Sequence, residues 1–363
     1  METLTLKNFA KLKDTILNIN DITLIAGKPG VGKSYIMKIL YALTEMGQNY
    51  KNELTNTYGM VNNLKLLEKK LQKKENKELK EIIKEIKEEI KKFDLEEDVI
   101  EHCQSNLKNL IKSIFGNFEQ ISNDFGVSSK HVNIRYENQT FNIKIDNNHI
   151  FYSNSVFVET PLILEFKQFM IKDENKIPYH INSLLKILDK DYSFTDDAQD
   201  DFIKEFSKKS NDIIQGEIKN SGDSFIFQTK DDDYSIINAS SGIKSLGLLQ
   251  YLVTNKALKK GSILFWEERE VHLHPSWQKR MVELFLELQK NGVKIVFSTH
   301  SAIMADYLNI LVKKRNLGSK VSFNLLTEKK EGIVENIILN DDNWKLLQDE
   351  LLGALEEIMW EYL

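Results

Sequence analysis

The spacing of apolar positions changes period several times along the chain, and each change predicts an element. Residues 3–9 and 16–26 alternate as strands do, the second ending in the apolar run Ile22, Leu24, Ile25 and Ala26 ahead of a glycine-rich turn. A helix is predicted next, over about 33–44. From Leu64 to Phe93 apolar residues fall at 64, 67, 71, 79, 83, 86, 90 and 93, steps of mostly three and four. A second series runs through Ile100, Cys103, Leu107, Leu110, Ile114 and Phe118. Together they predict a helical hairpin inserted over 60–122, with Glu88 and Lys92 in the favourable i,i+4 order. Two readings of it stand: a solvated amphipathic pair packing on its own core, favoured because neither half sustains three or four heptads, or a coiled-coil arm that docks a partner. Period two returns over 131–159, where Asn147 and Asn148 suggest a hairpin turn in an antiparallel subsheet. Residues 161–219 read as helical with acidic exposed positions, and 224–238 as another hairpin. Strands at 262–266 and 294–300 flank a helix over about 276–289, which implies a parallel crossover. A strand pair and a helix follow His300.

The expected fold class is therefore α/β: a head built from residues 1–50 and 125–363 around a mixed sheet with an antiparallel subsheet, a helical lobe at about 161–260, and the helical insertion. Composition fits this picture. Of 363 residues, 41% are apolar and 28% charged, which excludes disordered and collagen-like chains. Lys plus Arg total 49 against 54 Asp plus Glu, a net charge of -5, so the whole-molecule field does not advertise a nucleic-acid binder, although a local DNA-binding patch stays open. The single cysteine, Cys103, cannot form an internal disulfide and fits a reducing cytoplasm. The first residues carry no hydrophobic block, and no run approaches the ~18 apolar residues of a spanning helix. Neither a targeting peptide nor a membrane anchor is expected.

The strongest chemical signal is Gly27-Lys28-Pro29-Gly30-Val31-Gly32-Lys33-Ser34, which satisfies G-x-x-x-x-G-K-[ST] between a predicted strand and a predicted helix. Its glycines let backbone N–H groups turn inward around a polyphosphate, the helix N-terminus adds its dipole, Lys33 reaches the outer phosphates, and Ser34 offers a hydroxyl to Mg2+. The apolar strand through Trp266 ends in Glu267 and Glu268. One carboxylate is placed to hold the Mg2+ water shell and the other to orient or deprotonate an attacking water. A third strand delivers Ser298, Thr299, His300 and Ser301, and His300 can both donate and accept near a terminal phosphate. Finally Ser240, Ser241 and Gly242 precede an apolar helical run. Alone they make an N-cap; about twenty residues before the carboxylates they form a candidate anion site.

In that order, the phosphate loop, the small Ser-Gly signature, the segment from Trp266 to Pro275 and the Ser298–Ser301 turn resemble the soluble ABC-type ATPases of the SMC, RecF and OLD-like branch. The opening strand ending Asn8-Phe9 is similar to theirs too. The resemblance covers residues 1 to about 50 and 225 to about 330. It implies a head that binds ATP and Mg2+ and dimerises face to face, with nucleotide between the phosphate loop of one protomer and the signature of its partner. It assigns Lys33 and Ser34 to phosphate and Mg2+, Glu267 to the metal side, Glu268 to the catalytic carboxylate and His300 to the switch histidine. Ser240, Ser241 and Gly242 would then reach the partner's terminal phosphate, with the register of the serines open by one residue. Glu267 stands where the family usually has Asp, and Arg269 where it has Pro. The lobe-joining glutamine has no clear counterpart; Glu159 and Gln168 are its candidates.

The implied activity is an ATP-driven dimeric switch that controls a separate effector, such as a nuclease, or a DNA transaction. Anti-phage defence is a family-level expectation, because small ATPases of this type are similar to those in such systems. The segment after His300 reads as too short for a nuclease domain. A nucleotide-binding scaffold with little turnover is the alternative. A metal role for His272 and His274 lacks a third ligand. The clusters Asp196, Asp197, Asp200, Asp201 and Asp231 to Asp233 could serve a two-metal nuclease, but they read first as solvated helix and turn faces.

Overall fold

The computed structural model describes residues 2–49, 52, 95–116, 121–130, 132–138, 140–145, 154–167, 177–190, 200–222, 224–267, 270, 273–329 and 332–362. The predicted stripe over 64–93 lies outside them. So do Glu268, Arg269, Gln168, His272, the Asn147–Asn148 pair and Asp196–Asp197.

The chain opens with β1 (Glu2–Phe9), β2 (Leu12–Ile19) and β3 (Ile22–Gly27). The single strand predicted over 16–26 is thus two. Asn20 and Asp21 interrupt it, the Asn20 N–H turning to Thr23 Oγ1 at 2.9 Å, so β2 returns antiparallel on β1 while β3 leaves for another part of the sheet. A helix over 33–49, α1, follows the phosphate loop. Next come α2 (Leu95–Phe115), β4 (Phe125–Ser128), β5 (Val132–Glu137), β6 (Thr140–Ile145) and β7 (Ser155–Val158). The β5–β6 hairpin turns at Asn138, held at φ 51°, which asparagine tolerates better than most residues. β7 is not part of that antiparallel run; it pairs parallel with a later strand.

Three helices, α3 (Ile163–Phe166), α4 (Tyr179–Asp189) and α5 (Asp200–Ile214), lead to β8 (Glu217–Ser221), β9 (Ser224–Gln228) and β10 (Asp233–Ser235). The expected helical lobe therefore carries a small three-stranded sheet, and residues 217–219, read from sequence as helical, belong to the strand β8, which pairs with β9. The remaining elements are α6 (Ser241–Thr254), β11 (Ile263–Glu267), α7 (Pro275–Lys290), β12 (Lys294–Thr299), α8 (Ala302–Lys314), β13 (Val321–Glu328), β14 (Val334–Ile338) and α9 (Lys345–Tyr362).

Among the described residues the large sheet runs β6-β5-β4-β1-β2-β14-β13-β3-β12-β11-β7. The five strands at the β6 end pair antiparallel with one another. At the other end β13, β3, β12, β11 and β7 run parallel. Both faces of the parallel part are covered, which is why its strands read as continuous apolar runs. Ile263 and Phe265 pack on one side with Leu4, Phe9, Ile36 and Ile39; Leu264 and Trp266 pack on the other with α6, α7 and α8 residues such as Leu248 and Phe285. Leu107, Leu110, Ile111 and Ile114 of α2 join the first of these clusters. The described half of the insertion thus packs on the head itself.

The two parts of the sheet meet where β2 touches β14 by one pair, Leu12 with Val334. A buried asparagine reinforces this seam. Asn324 accepts from the Asn18 N–H at 3.0 Å and donates to Asn18 O at 3.0 Å, and its amide oxygen also accepts from Asn336 Nδ2 at 3.1 Å.

Candidate active site

Three parallel strands deliver the site. Gly27 ends β3, Thr299 ends β12 beside it, and Glu267 ends β11 one strand further, level with Ser298. Their carboxyl ends form one edge, where open α/β sheets bind ligands. Gly27, Gly30 and Gly32 have φ of 148°, 81° and 95°. Such conformations suit glycine and let the loop present its N–H groups to an anion. Lys28, Pro29 and Gly30 are exposed at the tip; Val31 is buried in the core beneath. Lys33 is 2% exposed and folds back over the loop, its Nζ donating to Gly27 O at 2.7 Å and Lys28 O at 2.8 Å. Ser34, in the first turn of α1, is half-buried.

Glu267 is buried at the end of β11, and Ser298 Oγ, level with it, has no hydrogen-bond partner among the described residues. Loop amides, an ammonium, the Ser34 hydroxyl and the Glu267 carboxylate make the donor and acceptor set that a Mg2+-polyphosphate needs, so these residues fit ATP with Mg2+. The metal, when bound, supplies charge neutralisation at the outer phosphates. Glu268 follows directly in sequence but is outside the described residues.

His300 follows β12 and is about one-third exposed. Its backbone N–H donates to Glu270 Oε1 at 2.8 Å, and Thr299 Oγ1 donates to the same oxygen at 2.6 Å. Glu270 is buried. Sequence reasoning stopped at the two preceding glutamates and missed it; the signal was a third carboxylate in the same short segment.

The Ser240–Gly242 segment, the expected signature, sits at the start of α6. Ser240 is exposed and is the N-cap, its hydroxyl accepting from the Ile243 N–H at 3.3 Å. Ser241 is half-buried, and Gly242 is buried against Trp277, where a Cβ would stand 3.0 Å from the ring. The open serine at this helix start is therefore Ser240. Lys244 fixes the segment from below, donating to Glu165 Oε1 at 2.6 Å and to Ile237 O at 3.1 Å. Asp231 and Asp232 lie in the turn before β10, where Asp232 O accepts from the Thr229 N–H and hydroxyl, and Asp233 opens that strand. His274 Nδ1 accepts from the Ser276 N–H at 3.3 Å and so caps α7. Among the described residues no three His, Cys, Asp or Glu side chains are grouped to hold a metal, and no helix is long and apolar enough to cross a membrane.

Residues 164–305 match the family described as AAA ATPase domain, a stretch that contains the signature, Glu267 and His300 and begins downstream of the phosphate loop. The SMC head solved bound to the C-terminal winged-helix domain of ScpA superposes with a TM-score of 0.50 at 13% identity, covering 94% of this chain and 98% of that one. The fold is that of an SMC ATPase head. An SMC head domain from Thermotoga maritima gives 0.44 at 12% identity, covering 93% and 98%. The Smc head with an extended coiled coil bound to the C-terminal domain of ScpA, from Pyrococcus furiosus, gives 0.44 at 14%, covering 99% and 100%. No curated protein matches this chain in sequence.

In this fold the end of β7 lies beside the Glu267 strand, Val158 pairing with Trp266. Glu159 follows, the residue weighed above for the lobe-joining place. It accepts from Lys38 Nζ of α1 at 3.0 Å and shares a 2.7 Å hydrogen bond with His180 Nε2 of α4. The bond from His180, with Lys38 alongside, lowers its carboxyl from 4.5 to about 2. Burial holds His180 below its ordinary 6.5 even against Glu159. Both groups make acid destabilising. Below about 6.5 the unfolded chain takes a proton on this histidine that the folded chain refuses, and the Glu159 contribution, complete above 4.5, is lost as pH falls through about 2. Glu45, whose carboxyl burial raises, acts in the opposite sense. We expect Glu159→Gln to flatten the fall in urea midpoint between pH 4.5 and the acid limit relative to wild type. Superimposable profiles would remove the ion cluster from the stability account.

Proposed function

We propose that this protein is an ATP-hydrolysing head that works as a nucleotide-dependent dimeric switch. One observation carries the reading: the phosphate loop, Glu267 and His300 converge on one sheet edge, while Ser240, which we take as the signature serine, stands exposed at a helix start. A single protomer offers one half of a triphosphate cradle; a second copy brings the signature to it. Lys33 and the loop amides bind the phosphates, Ser34 and Glu267 hold Mg2+, Glu268 orients or deprotonates the water, and His300 contacts the terminal phosphate or that water. Closure of two heads would be read by a separate effector, a nuclease among the candidates, or by DNA, and a defence role remains the family-level expectation. That the SMC head in the first of the superposed structures is solved with a protein partner supports docking of such a polypeptide.

The test is the mass in solution of Glu268→Gln with and without ATP. A doubled mass with ATP, lost on Ser240→Arg, is expected; an unchanged mass counts against the switch. Glu267 in the usual Asp place favours a second reading, a scaffold that binds nucleotide without turnover. Equal phosphate release by wild type and Glu268→Gln would select it.

A further inference from the structure

Among the described residues Glu270 is the most deeply buried carboxylate at the site edge, 4% exposed, and its carboxylate accepts two hydrogen bonds from the His300 turn. A buried carboxylate is costly unless its acceptors are well used, and charge-assisted bonds to an N–H and a hydroxyl are among the stronger ones. The oxygen that accepts them also lies 3.8 Å from His300 Nδ1. The rest of the segment is tied to the same turn by a different route. Gln278 Nε2 donates to Glu270 O at 3.3 Å and Leu273 O at 3.1 Å, while its Oε1 accepts from Ser301 Oγ at 2.6 Å. The Ser301 N–H donates to Thr299 Oγ1 at 2.9 Å, which closes a ring of polar contacts. At its outer end the segment touches the signature: a Cβ on Gly242 would meet the Trp277 ring at 3.0 Å and Leu273 Cδ2 at 3.5 Å.

We propose that Glu270 is a positioning residue for His300, and that the ring through Gln278 and Ser301 makes the placement of His300 depend on the state of the signature. The inference rests on the hydrolytic reading of the site and adds a regulation to it. A signature that engages a second head presses on Trp277 and Leu273. The displacement passes to the Glu270 and Leu273 carbonyls, and Glu270 hands it to the His300 backbone. Each protomer thereby senses occupancy of its own signature in the histidine of its own pocket.

The experiment uses the full chain and compares wild type, Glu270→Ala, Glu270→Gln, Gln278→Leu and Lys33→Ala. Steady-state phosphate release, ATP affinity and urea midpoint are measured for each. Glu270→Ala is expected to lower turnover about tenfold or more with ATP affinity within about twofold of wild type. Glu270→Gln keeps an acceptor oxygen toward Thr299 and the His300 N–H, and should recover most of that loss. Wild-type turnover in Glu270→Ala, or affinity falling in step with turnover and no recovery in the Gln variant, overturns the proposal. If wild type releases no more phosphate than Lys33→Ala, it is the hydrolytic reading that fails. The placement is then read directly, from the His300 imidazole proton–carbon resonance, assigned among seven histidines with His300→Gln. Glu270→Ala and Gln278→Leu should each move it, and an unmoved resonance in both overturns the proposal independently of turnover.

Discussion

Lys33→Ala is expected to lower ATP affinity by about a hundredfold and bring phosphate release to background. Lys33 is 2% exposed, and its Nζ is bonded to two loop carbonyls, Gly27 O and Lys28 O. It is thus held where a phosphate chain would lie, and on binding it exchanges two neutral acceptors for charged ones. Hydrogen bonds to charged groups contribute about 1.5–3 kcal/mol, and about 1.4 kcal/mol corresponds to a factor of ten. Alanine forfeits the bond and the charge together. Lys33→Arg should not restore binding, because a planar fork cannot occupy the site of a compact ammonium between two carbonyls. A fluorescent-nucleotide titration measures the effect. Affinity within a factor of three of wild type would mean that the loop does not hold triphosphate.

Gly27→Ala should be the most damaging single methyl in the phosphate loop, and for stability as well as binding. At φ 148° the added Cβ would stand 2.6 Å from Leu326 O and 2.9 Å from Val31 Cγ2. The first neighbour is backbone, held in register with Gly27 on β13, so it cannot swing aside. The strand pair has to separate or the loop has to refold. A cost of about 3 kcal/mol or more follows, read as a drop in urea midpoint. Gly30→Ala is the control: φ is 81°, but a Cβ there meets nothing within 4 Å, so only the backbone strain of about 1–2 kcal/mol is incurred. Equal midpoints for the two variants would show that the β3–β13 contact is not what selects glycine at position 27.

The elements legible in the sequence were those whose signal is local. The phosphate loop announces itself because strand, glycines, lysine and helix are contiguous, and the β11–α7–β12 crossover because its strands are buried on both faces and its helix is amphipathic. What escaped depends on neighbours distant in the chain. Residues 16–26 look like one strand until Asn20 turns back to Thr23 and the two halves join different partners. Residues 217–221 carry too few apolar positions to reveal a period, and become a strand by pairing with β9. Ser240 was identified together with Ser241, since spacing alone cannot say which is the cap; the Ile243 N–H decides. Glu270 was hidden by its surroundings, as a third acid in a charged segment resembles solvated surface until Thr299 and His300 are seen folded onto it.

The position of β3 in the sheet bears on how the molecule is made. This strand ends at residue 27, yet its two neighbours are β12 and β13, contributed by residues 294–299 and 321–328. While the polypeptide emerges from the ribosome, this apolar ribbon therefore has to wait, edges open, for flanking partners that are translated much later. Such distant pairings form slowly and leave a sticky intermediate, so nascent chains of this protein should lean on chaperones until residues 294–328 have left the ribosome.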